Sequence, residues 1–213
     1  MALVSACGNE KSEPSPLGNA VGTLARATVL KVKARRAGGE APAPAPVTRA
    51  AIEAYNLPIL RAVIASRGAD ALLTIGDQKG DVVTWATTDG TTFTQRNGVL
   101  IQTRGLGADL MSAQVPTVGQ LSQNGGTYQR IYYFLGQDDK STRRTYDCTV
   151  SVTGRQTITI FEKNHAVTHV SETCVRPQGN VSNEYWIEGG EIRKSRQWTS
   201  GQTGYIDFER VVD

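Results

Sequence analysis

A chain of 213 residues, 39% hydrophobic and 20% charged, can bury a sizeable core within a single domain. Its net charge of +3 is too small to indicate a nucleic-acid-binding protein, and no stretch approaches the roughly 18 consecutive apolar residues of a membrane-spanning helix. Composition therefore predicts a folded body without a strongly basic face.

The chain begins with a possible lipoprotein processing site. Leu3-Val4-Ser5-Ala6-Cys7 has the small-small-cysteine pattern at which bacterial lipoprotein precursors are cut. A full secretory signal also needs a basic n-region and an apolar core of about 7–15 residues, but here only Ala2-Leu3-Val4 is apolar and no Lys or Arg precedes Cys7. Two interpretations stay open at this point: a cleavage site whose upstream half is missing, or a chance match.

The next forty residues are predicted to be a tether and linker. Residues 8–18 are polar, and Ala41-Pro42-Ala43-Pro44-Ala45-Pro46 should be extended and semi-rigid. The apolar stretch 21–32 fits either a helix or a strand. We therefore divide the chain into a remnant of a signal peptide, a tether and linker region, and a single β domain, with bounds 1–6, 7–47 and 48–213.

A short helix should open the β domain. Thr48 can cap a helix that runs to Tyr55, and Pro58 cannot continue it. From Ile59 onward, short runs rich in Val, Ile, Thr and aromatic residues alternate with turn residues, which is typical of β structure. The predicted strands are Asp70–Asp77, Asp81–Thr87, Thr91–Arg96, Val99–Thr103, Gln129–Leu135, Thr142–Val152, Gln156–Glu162, Ala166–Val175, Ser182–Ile187, Glu191–Trp198 and Gly204–Val211.

Turn chemistry indicates how these strands connect. Asp89-Gly90 and Asn97-Gly98 are residue pairs that favour type I′ hairpin turns, in which both central positions need φ > 0. So many successive strands predict a mainly all-β fold, in which a large antiparallel meander closes into a barrel or a strongly curled sheet and so avoids long open edges.

The three cysteines suggest a division of roles. Cys7 lies in a polar segment, whereas Cys148 and Cys174 lie within predicted strands. One lipid-bearing cysteine and one disulfide pair would account for all three, and disulfides persist in oxidising compartments such as the periplasm. The alternative is three unrelated buried thiols in a cytosolic protein.

No residue pattern predicts a catalytic centre or a cofactor site. His165 and His169 have the spacing of a helical zinc site, but on a strand residues four apart are separated by about 13 Å. Glu184, Glu188 and Glu191 cluster near a turn, where solvated carboxylates are far more common than a glycosidase pair. Nucleophile-elbow and phosphate-loop motifs are missing from the sequence. We predict a protein that is not an enzyme and that binds no cofactor or metal.

The C-terminal third contains the better candidate site. Strand alternation places Lys194, Arg196 and Trp198 on one face of Glu191–Trp198, and Trp186 precedes them on the neighbouring strand. Cations beside an aromatic ring suit an acidic sugar chain or a protein partner. The alternative is that both tryptophans belong to the core and the charges form a solvated rim.

Two long motifs resemble a known family. The segment 183–187, NEYWI, followed by 192–198, IRKSRQW, resembles the C-terminal signature of the YjbF/GfcB family of bacterial lipoproteins. The segment 96–106, RNGVLIQTRGL, is similar to the central hairpin of that family. The resemblance extends from about Thr48 to Val211, and the Pro/Ala run before it departs from the family pattern.

The resemblance has implications for the cysteines and for function. Cys148 and Cys174 fall where the family has a cysteine pair, and Cys7 falls where it has its lipidated cysteine. The family implies a large antiparallel β fold and a lipid-anchored outer-membrane protein that faces the periplasm. It also implies the outer-membrane polysaccharide-export machinery as a partner, with an anionic polysaccharide as a further candidate and no nucleic acid.

Three functions follow as expectations. The first is a non-enzymatic lipoprotein that assists exopolysaccharide or capsule assembly and export. The second is a β-barrel carrier of a small molecule or lipid, which requires an open apolar lumen. The third is a glycan-active enzyme, which requires two carboxylates about 5–10 Å apart in a cleft. A filled core with an exposed aromatic and basic face would favour the first.

Overall fold

The computed structural model describes residues 48–54, 56–135 and 141–213. The predictions for Cys7 and for the tether and linker lie outside these residues. Among the described residues, no helix has the length and apolar character needed to span a bilayer. The elements are α1 Arg49–Glu53, β1 Ile59–Ile64, β2 Ala69–Lys79, β3 Val82–Ala86, β4 Thr92–Arg96, β5 Val99–Arg104, β6 Leu110–Gln114, α2 Val118–Leu121, β7 Thr127–Leu135, β8 Ser141–Ile160, β9 Lys163–Arg176, β10 Gly179–Glu188, β11 Glu191–Ser200 and β12 Gly204–Val212.

All described strands belong to one antiparallel sheet, in the order β5-β4-β3-β2-β1-β12-β11-β10-β9-β8-β7-β6. The two edge strands, β5 and β6, follow each other in the chain and lie side by side. Leu110 N donates to Thr103 Oγ1 at 3.0 Å across this gap. The sheet therefore nearly closes into a barrel, and the predicted all-β meander is confirmed.

The antiparallel meander places the connections alternately at two ends of the barrel. We call the end where β1 begins and β12 finishes the base. The opposite end, which carries the β1–β2, β3–β4, β5–β6, β9–β10 and β11–β12 connections among others, we call the top. Helix α1 leads into β1, so the described chain enters the barrel at its base.

Side chains fill the interior of the barrel. Alternate residues of each strand point inward, and the largest cluster of buried apolar residues joins strands from around the whole sheet. The aromatic members of this cluster are Trp85, Phe93, Tyr132, Phe134, Tyr146, Trp198 and Phe208. A packed interior of this kind disfavours the carrier function, which needs an open lumen.

Strand β8 is longer than the sequence predicted. The expected break near residues 153–155 is instead a bulge, where the register to β9 shifts and Gly154 has φ +146°. Beyond this bulge, β8 and β9 pair only with each other, because the ladder to β7 ends at Thr149 and the ladder to β10 ends at Thr168. We call this projecting hairpin, residues 154–168, the arm.

The arm packs against the outer surface of the barrel near its base. Ile160 forms a small apolar cluster with Ile52 of α1, Ile59 of β1 and Val211 of β12. Arg61 lies over the ring of Phe161 at 5.7 Å from its centroid. Helix α1 is thus held between the arm and the barrel, although it is too short to be stable alone.

Several local predictions can be compared with the structure. The Thr48 cap is present, since its hydroxyl accepts from Ala51 N at 3.3 Å. Asn97 and Gly98 have φ 47° and 83°, as a type I′ turn requires. Asp89-Gly90 is a different turn, because only Gly90 has positive φ. Strands β1 and β6 and helix α2 were not predicted as separate elements.

Candidate functional site

Cys148 and Cys174 lie directly opposite each other on β8 and β9. The structure joins them by a disulfide, with their Cα atoms 4.0 Å apart. Both are buried, and a carboxylate oxygen of Glu172 lies within 4.8 Å of their sulfur atoms. This is the one cluster of metal-ligating residue types in the described ranges. Because its sulfurs are bonded to each other, it provides no thiolate ligands.

A charged pair lies inside the barrel close to this disulfide. Arg130 is 1% exposed and Glu172 is 0% exposed, and Arg130 Nε donates to Glu172 Oε1 at 3.1 Å. Three further donors reach the carboxylate: Tyr128 Oη at 2.5 Å, Asn183 Nδ2 at 2.6 Å and Tyr185 Oη at 3.1 Å. We call these five residues, together with Tyr132, the inner network. Multiple donors of this kind are what a buried carboxylate needs.

The environment of the inner network fixes the protonation of its other members. Arg130 Nη1 donates to Tyr132 Oη at 2.8 Å, and Arg130 Nη2 donates to Tyr185 Oη at 2.9 Å. Burial raises the pKa of the Tyr185 phenol well above its ordinary value. Burial alone would lower the pKa of Arg130, but attraction to Glu172 and the tyrosines outweighs it, so that this pKa lies above its ordinary value. The guanidinium therefore stays charged and the phenol stays neutral at physiological pH.

The predicted C-terminal site divides into two parts. Trp198 is 9% exposed and packs inside the barrel, with its ring centroid 5.4 Å from that of Tyr132. Lys194 and Arg196 lie on the outer face, Lys194 partly exposed and Arg196 exposed. The expectation that Trp198 shares their face is corrected by the structure. Residues 197–200 are all buried, so the assumed alternation fails at the end of β11, where the ladder to β12 also becomes irregular.

A row of side chains crosses the outer face of the sheet, one from each of six adjacent strands. Arg61 makes two hydrogen bonds to Asp70, at 2.7 and 2.9 Å, and one to Glu209 at 2.9 Å. Lys194 Nζ donates to the other oxygen of Glu209 at 2.8 Å. We call the row the outer ladder; its members from β2 to β9 are Asp70, Arg61, Glu209, Lys194, Trp186 and His169.

Trp186 stands between two neighbours in this ladder. The His169 ring is stacked on it, with centroids 4.7 Å apart and planes 5° apart. Lys194 Nζ lies 5.7 Å from the indole centroid and comes from the strand on the other side. Both faces of the indole are thus covered, and its edge is what remains for an outside ligand.

Arg196 is the less constrained of the two predicted cations. Its guanidinium lies over the ring of Tyr205, 5.1 Å from the centroid, and 3.7 Å from an oxygen of Asp207. Because the side chain is 50% exposed, this ion pair is weak. Lys194, in contrast, is only 34% exposed and is already bound to Glu209.

Both histidines pair with glutamates of β10. His165 Nδ1 lies 2.8 Å from Glu188 Oε2, and His169 Nε2 lies 2.7 Å from Glu184 Oε2. Glu188 also accepts from Ala166 N at 3.0 Å, and this contact ties the arm to β10. The hydrogen bond from His165 lowers the pKa of Glu188 below its ordinary value. The glutamates near the turn are therefore engaged in structural pairs.

A groove of about 460 Å³ separates the arm from the β10–β11 turn. Its lining includes Arg155, Thr168 and Glu188. Open and polar, it contains neither a buried nucleophile nor a second carboxylate beside Glu188. The groove therefore lacks the paired carboxylates that a glycosidase requires.

The inner network and the arm were not foreseen from the sequence. Arg130 and Glu172 look like ordinary alternating polar positions, since a buried arginine cannot be told from an exposed one by strand periodicity. The one available signal was the concentration of tyrosines in Thr127–Leu135, where three of the first seven residues are Tyr. A tyrosine suits an interior position only where its hydroxyl finds a partner.

Comparison with known proteins gives the following. A family model described as "Group 4 capsule polysaccharide lipoprotein gfcB, YjbF" matches residues 25–211. Among solved structures, the crystal structure of the hypothetical lipoprotein YmcC from Escherichia coli is similar, with a TM-score of 0.70 and 20% identity over 95% of this chain and 98% of that one. At this identity the likeness shows a shared fold. No curated protein was found to match.

Proposed function

The chain belongs to the YjbF family of group 4 capsule polysaccharide lipoproteins, and from this membership we propose that it is a non-enzymatic lipoprotein of the outer membrane that faces the periplasm and assists the assembly or export of an exopolysaccharide or capsule. The observation that carries the proposal is the family match, which spans residues 25–211 and so includes the described barrel except its last strand residue, Val212. The family name links this chain to capsule polysaccharide systems, and the accessory role is our inference.

The proposed anchor is a lipid on Cys7. The cysteine follows two small residues, Ser5 and Ala6, and a lipoprotein family supports this assignment. The disulfide between Cys148 and Cys174 supports an oxidising compartment. Several acyl chains on one cysteine would anchor the protein stably, whereas a single chain binds a membrane only marginally.

The geometry of the described residues supports an accessory role better than the two alternatives. The barrel interior is packed, and it contains the buried pair Arg130 and Glu172. The carboxylates near the β10–β11 turn, Glu184 and Glu188, are bound to His169 and His165. An export accessory needs neither a lumen nor a catalytic pair, because it acts through its surface.

The outer face of β10 and β11 is a candidate contact surface for the export machinery. It combines Trp186, Lys194 and Arg196, while Trp198 is excluded by its burial. Arg196 is its most accessible cation, and the edge of Trp186 its most accessible aromatic group. A contact of this kind is weak at each residue and sensitive to salt, because screening acts over about 8 Å at physiological ionic strength.

Complementation tests the proposed function. We expect a strain that lacks the gene to carry less surface polysaccharide, and the precursor with a complete signal peptide to restore it. A Cys7→Ser precursor should neither incorporate radiolabelled fatty acid nor restore the polysaccharide, although its barrel is untouched. Arg155→Ala, an exposed change on the arm, is the matched control and should restore it fully. Unchanged polysaccharide in the deletion strain, or equal labelling of Cys7→Ser, contradicts the proposal.

A further inference from the structure

Two arginines lie over the aromatic part of the core at the top of the barrel. The guanidinium carbon of Arg144 is 4.9 Å from the ring centroid of Phe134, and that of Arg176 is 5.3 Å from the centroid of Tyr146. Trp198 joins these two rings from below, with centroid distances of 5.9 and 6.1 Å. The two cations thus stand on one continuous aromatic floor, and both side chains are partly exposed.

Strand register explains why the two arginines meet. Cys148 and Cys174 face each other inside the barrel, so alternation puts Tyr146 and Arg176, two residues nearer the top, on the same inner face. Arg144 is the next inward position on β8. Diagonal neighbours on one face of an antiparallel pair are about 7–8 Å apart. One ligand group placed between Arg144 and Arg176 can therefore touch both.

Stacking on a ring leaves the hydrogen-bonding edge of a guanidinium free, because the N–H groups point outward in its plane. Arg176 Nη1 donates to Gln178 Oε1 at 3.1 Å, and its Nε is buried without a partner. None of the ion pairs formed within residues 48–54, 56–135 and 141–213 involves Arg144 or Arg176. This differs from Arg61 and Arg193, which each bind two or more carboxylates.

We propose that Arg144 and Arg176 form an anion site that binds a carboxylate of an acidic polysaccharide. The planar fork of each guanidinium matches a carboxylate, and the rings beneath hold both forks in place before the ligand arrives. The proposal rests on the proposed function, since it names the class of ligand that the protein would contact there. It concerns the top of the barrel and is separate from the outer ladder.

A polysaccharide suits this surface better than a membrane does. The described chain enters at the base, through α1 and β1, whereas the arginine pair is at the top. Val175, 44% exposed, is the one large hydrophobic side chain found exposed among the residues whose side chains the structure describes. Membrane insertion needs several such side chains around the cations, whereas a hydrated sugar chain needs none.

Calorimetric titration of the full chain, with its disulfide intact, tests the site. The probes are hexagalacturonate, which carries carboxylates, maltohexaose, which is neutral, and vesicles of phosphatidylglycerol. We expect hexagalacturonate alone to bind, and Arg144→Ala/Arg176→Ala to weaken its binding about tenfold or more, as loss of hydrogen bonds to charged groups implies. Arg144→Lys/Arg176→Lys should weaken it similarly, because lysine keeps the charge but not the fork.

The control removes two charges elsewhere. Arg155→Ala/Lys163→Ala, on the arm, should bind hexagalacturonate as the parent does. The proposal is overturned if the parent does not bind hexagalacturonate, if the arm variant loses as much affinity as the alanine pair, or if binding is to the vesicles. If Arg144→Ala/Arg176→Ala does not fold, the Arg144→Lys/Arg176→Lys variant still tests the site. If hexagalacturonate does not bind but the deletion strain carries less surface polysaccharide, this proposal is wrong and the proposed function stands. If hexagalacturonate binds but the deletion strain carries normal surface polysaccharide, the proposed function is contradicted instead.

Discussion

The inner network and the outer ladder place charged side chains on opposite faces of the same strands. Strand β9 contributes Glu172 to the inner network and His169 to the outer ladder, four and seven residues before the end of the strand. Inside, the pair Arg130–Glu172 is almost completely shielded from solvent. Outside, Arg61 and Lys194 are about one third exposed and share Glu209 between them.

The comparison shows that the contribution of an ion pair to stability depends on whether the pair is buried or exposed. In the interior, desolvation makes each charge costly, and the pair is tolerable because four side chains make five further hydrogen bonds to it. At the surface, water solvates each charge already, so that an ion pair adds little. Removing one partner should therefore be severe inside and mild outside. Four predictions follow from this contrast, ordered by expected size.

Glu172→Gln should cause the largest loss of stability. It leaves Arg130 charged and buried without its counterion, which typically costs about 3–5 kcal/mol in the free energy of unfolding. Glu184→Gln is the matched control on the outer face, because it makes the same chemical change in a partly exposed pair; its cost should be at most about 1 kcal/mol. Urea denaturation measures both. Equal losses would contradict the contrast between the two faces.

Cys148→Ser/Cys174→Ser should come next. Closing a loop with a sequence separation of 26 stabilises by about 3–4 kcal/mol in the chain-entropy model. Since the disulfide lies beside Glu172, its loss and that of the carboxylate should not be additive in a combined variant. Reduction of the parent protein by dithiothreitol should reproduce the double serine variant. If the urea midpoint of unfolding is the same before and after reduction, the disulfide does not contribute to stability, and core packing and the strand ladder suffice to keep β8 and β9 together.

Lys194→Ala/Arg196→Ala should barely change stability. Glu209 keeps its hydrogen bond to Arg61 at 2.9 Å, and the Arg196 pair is largely exposed, so the loss should stay within about 1 kcal/mol. If this face contacts the export machinery, the same variant should reduce polysaccharide retention in cells while its thermal midpoint is nearly unchanged. A folded variant that retains polysaccharide normally would remove this face from the proposed function.

The smallest effect should be the pH response of the arm. The pKa of Glu188 is lowered, mainly by the hydrogen bond from His165. A carboxylate whose pKa is lowered on folding contributes stability above its unfolded pKa, about 4.5 for this group, and loses that contribution as the pH falls below this value. Arg193 Nε also binds Glu188, at 3.0 Å. The protection factor of the Ala166 amide, which donates to Glu188, should therefore fall on acidification, once its exchange rate is corrected for the intrinsic pH dependence of amide exchange.

A Glu188→Gln variant isolates this contribution. The protection factor of its Ala166 amide should not depend on pH in this range, whereas Glu191→Gln, an exposed change beside it, should behave as the parent does. Identical pH profiles in the parent and in Glu188→Gln would assign the response to another group.

Local patterns were sufficient for much of the fold. The cap at Thr48, the turn at Asn97-Gly98 and most strands follow from a few neighbouring residues, because side-chain alternation and turn dihedrals are local properties. The same reasoning failed for Trp198. Consecutive residues from Gln197 to Ser200 are all buried there, and strict alternation cannot anticipate such a stretch.

The positions of the arm, the inner network, the Arg144–Arg176 pair and the outer ladder could be known only from the tertiary structure. Whether Arg130, Arg144 or Lys194 is buried, stacked or paired is decided by residues far away in sequence, such as Glu172, Phe134 and Glu209. Strand alternation predicts only which residues of a strand share a face of the sheet. The curvature of the barrel and the neighbouring strands determine what lies opposite it, and this depends on long-range pairing that local sequence does not encode.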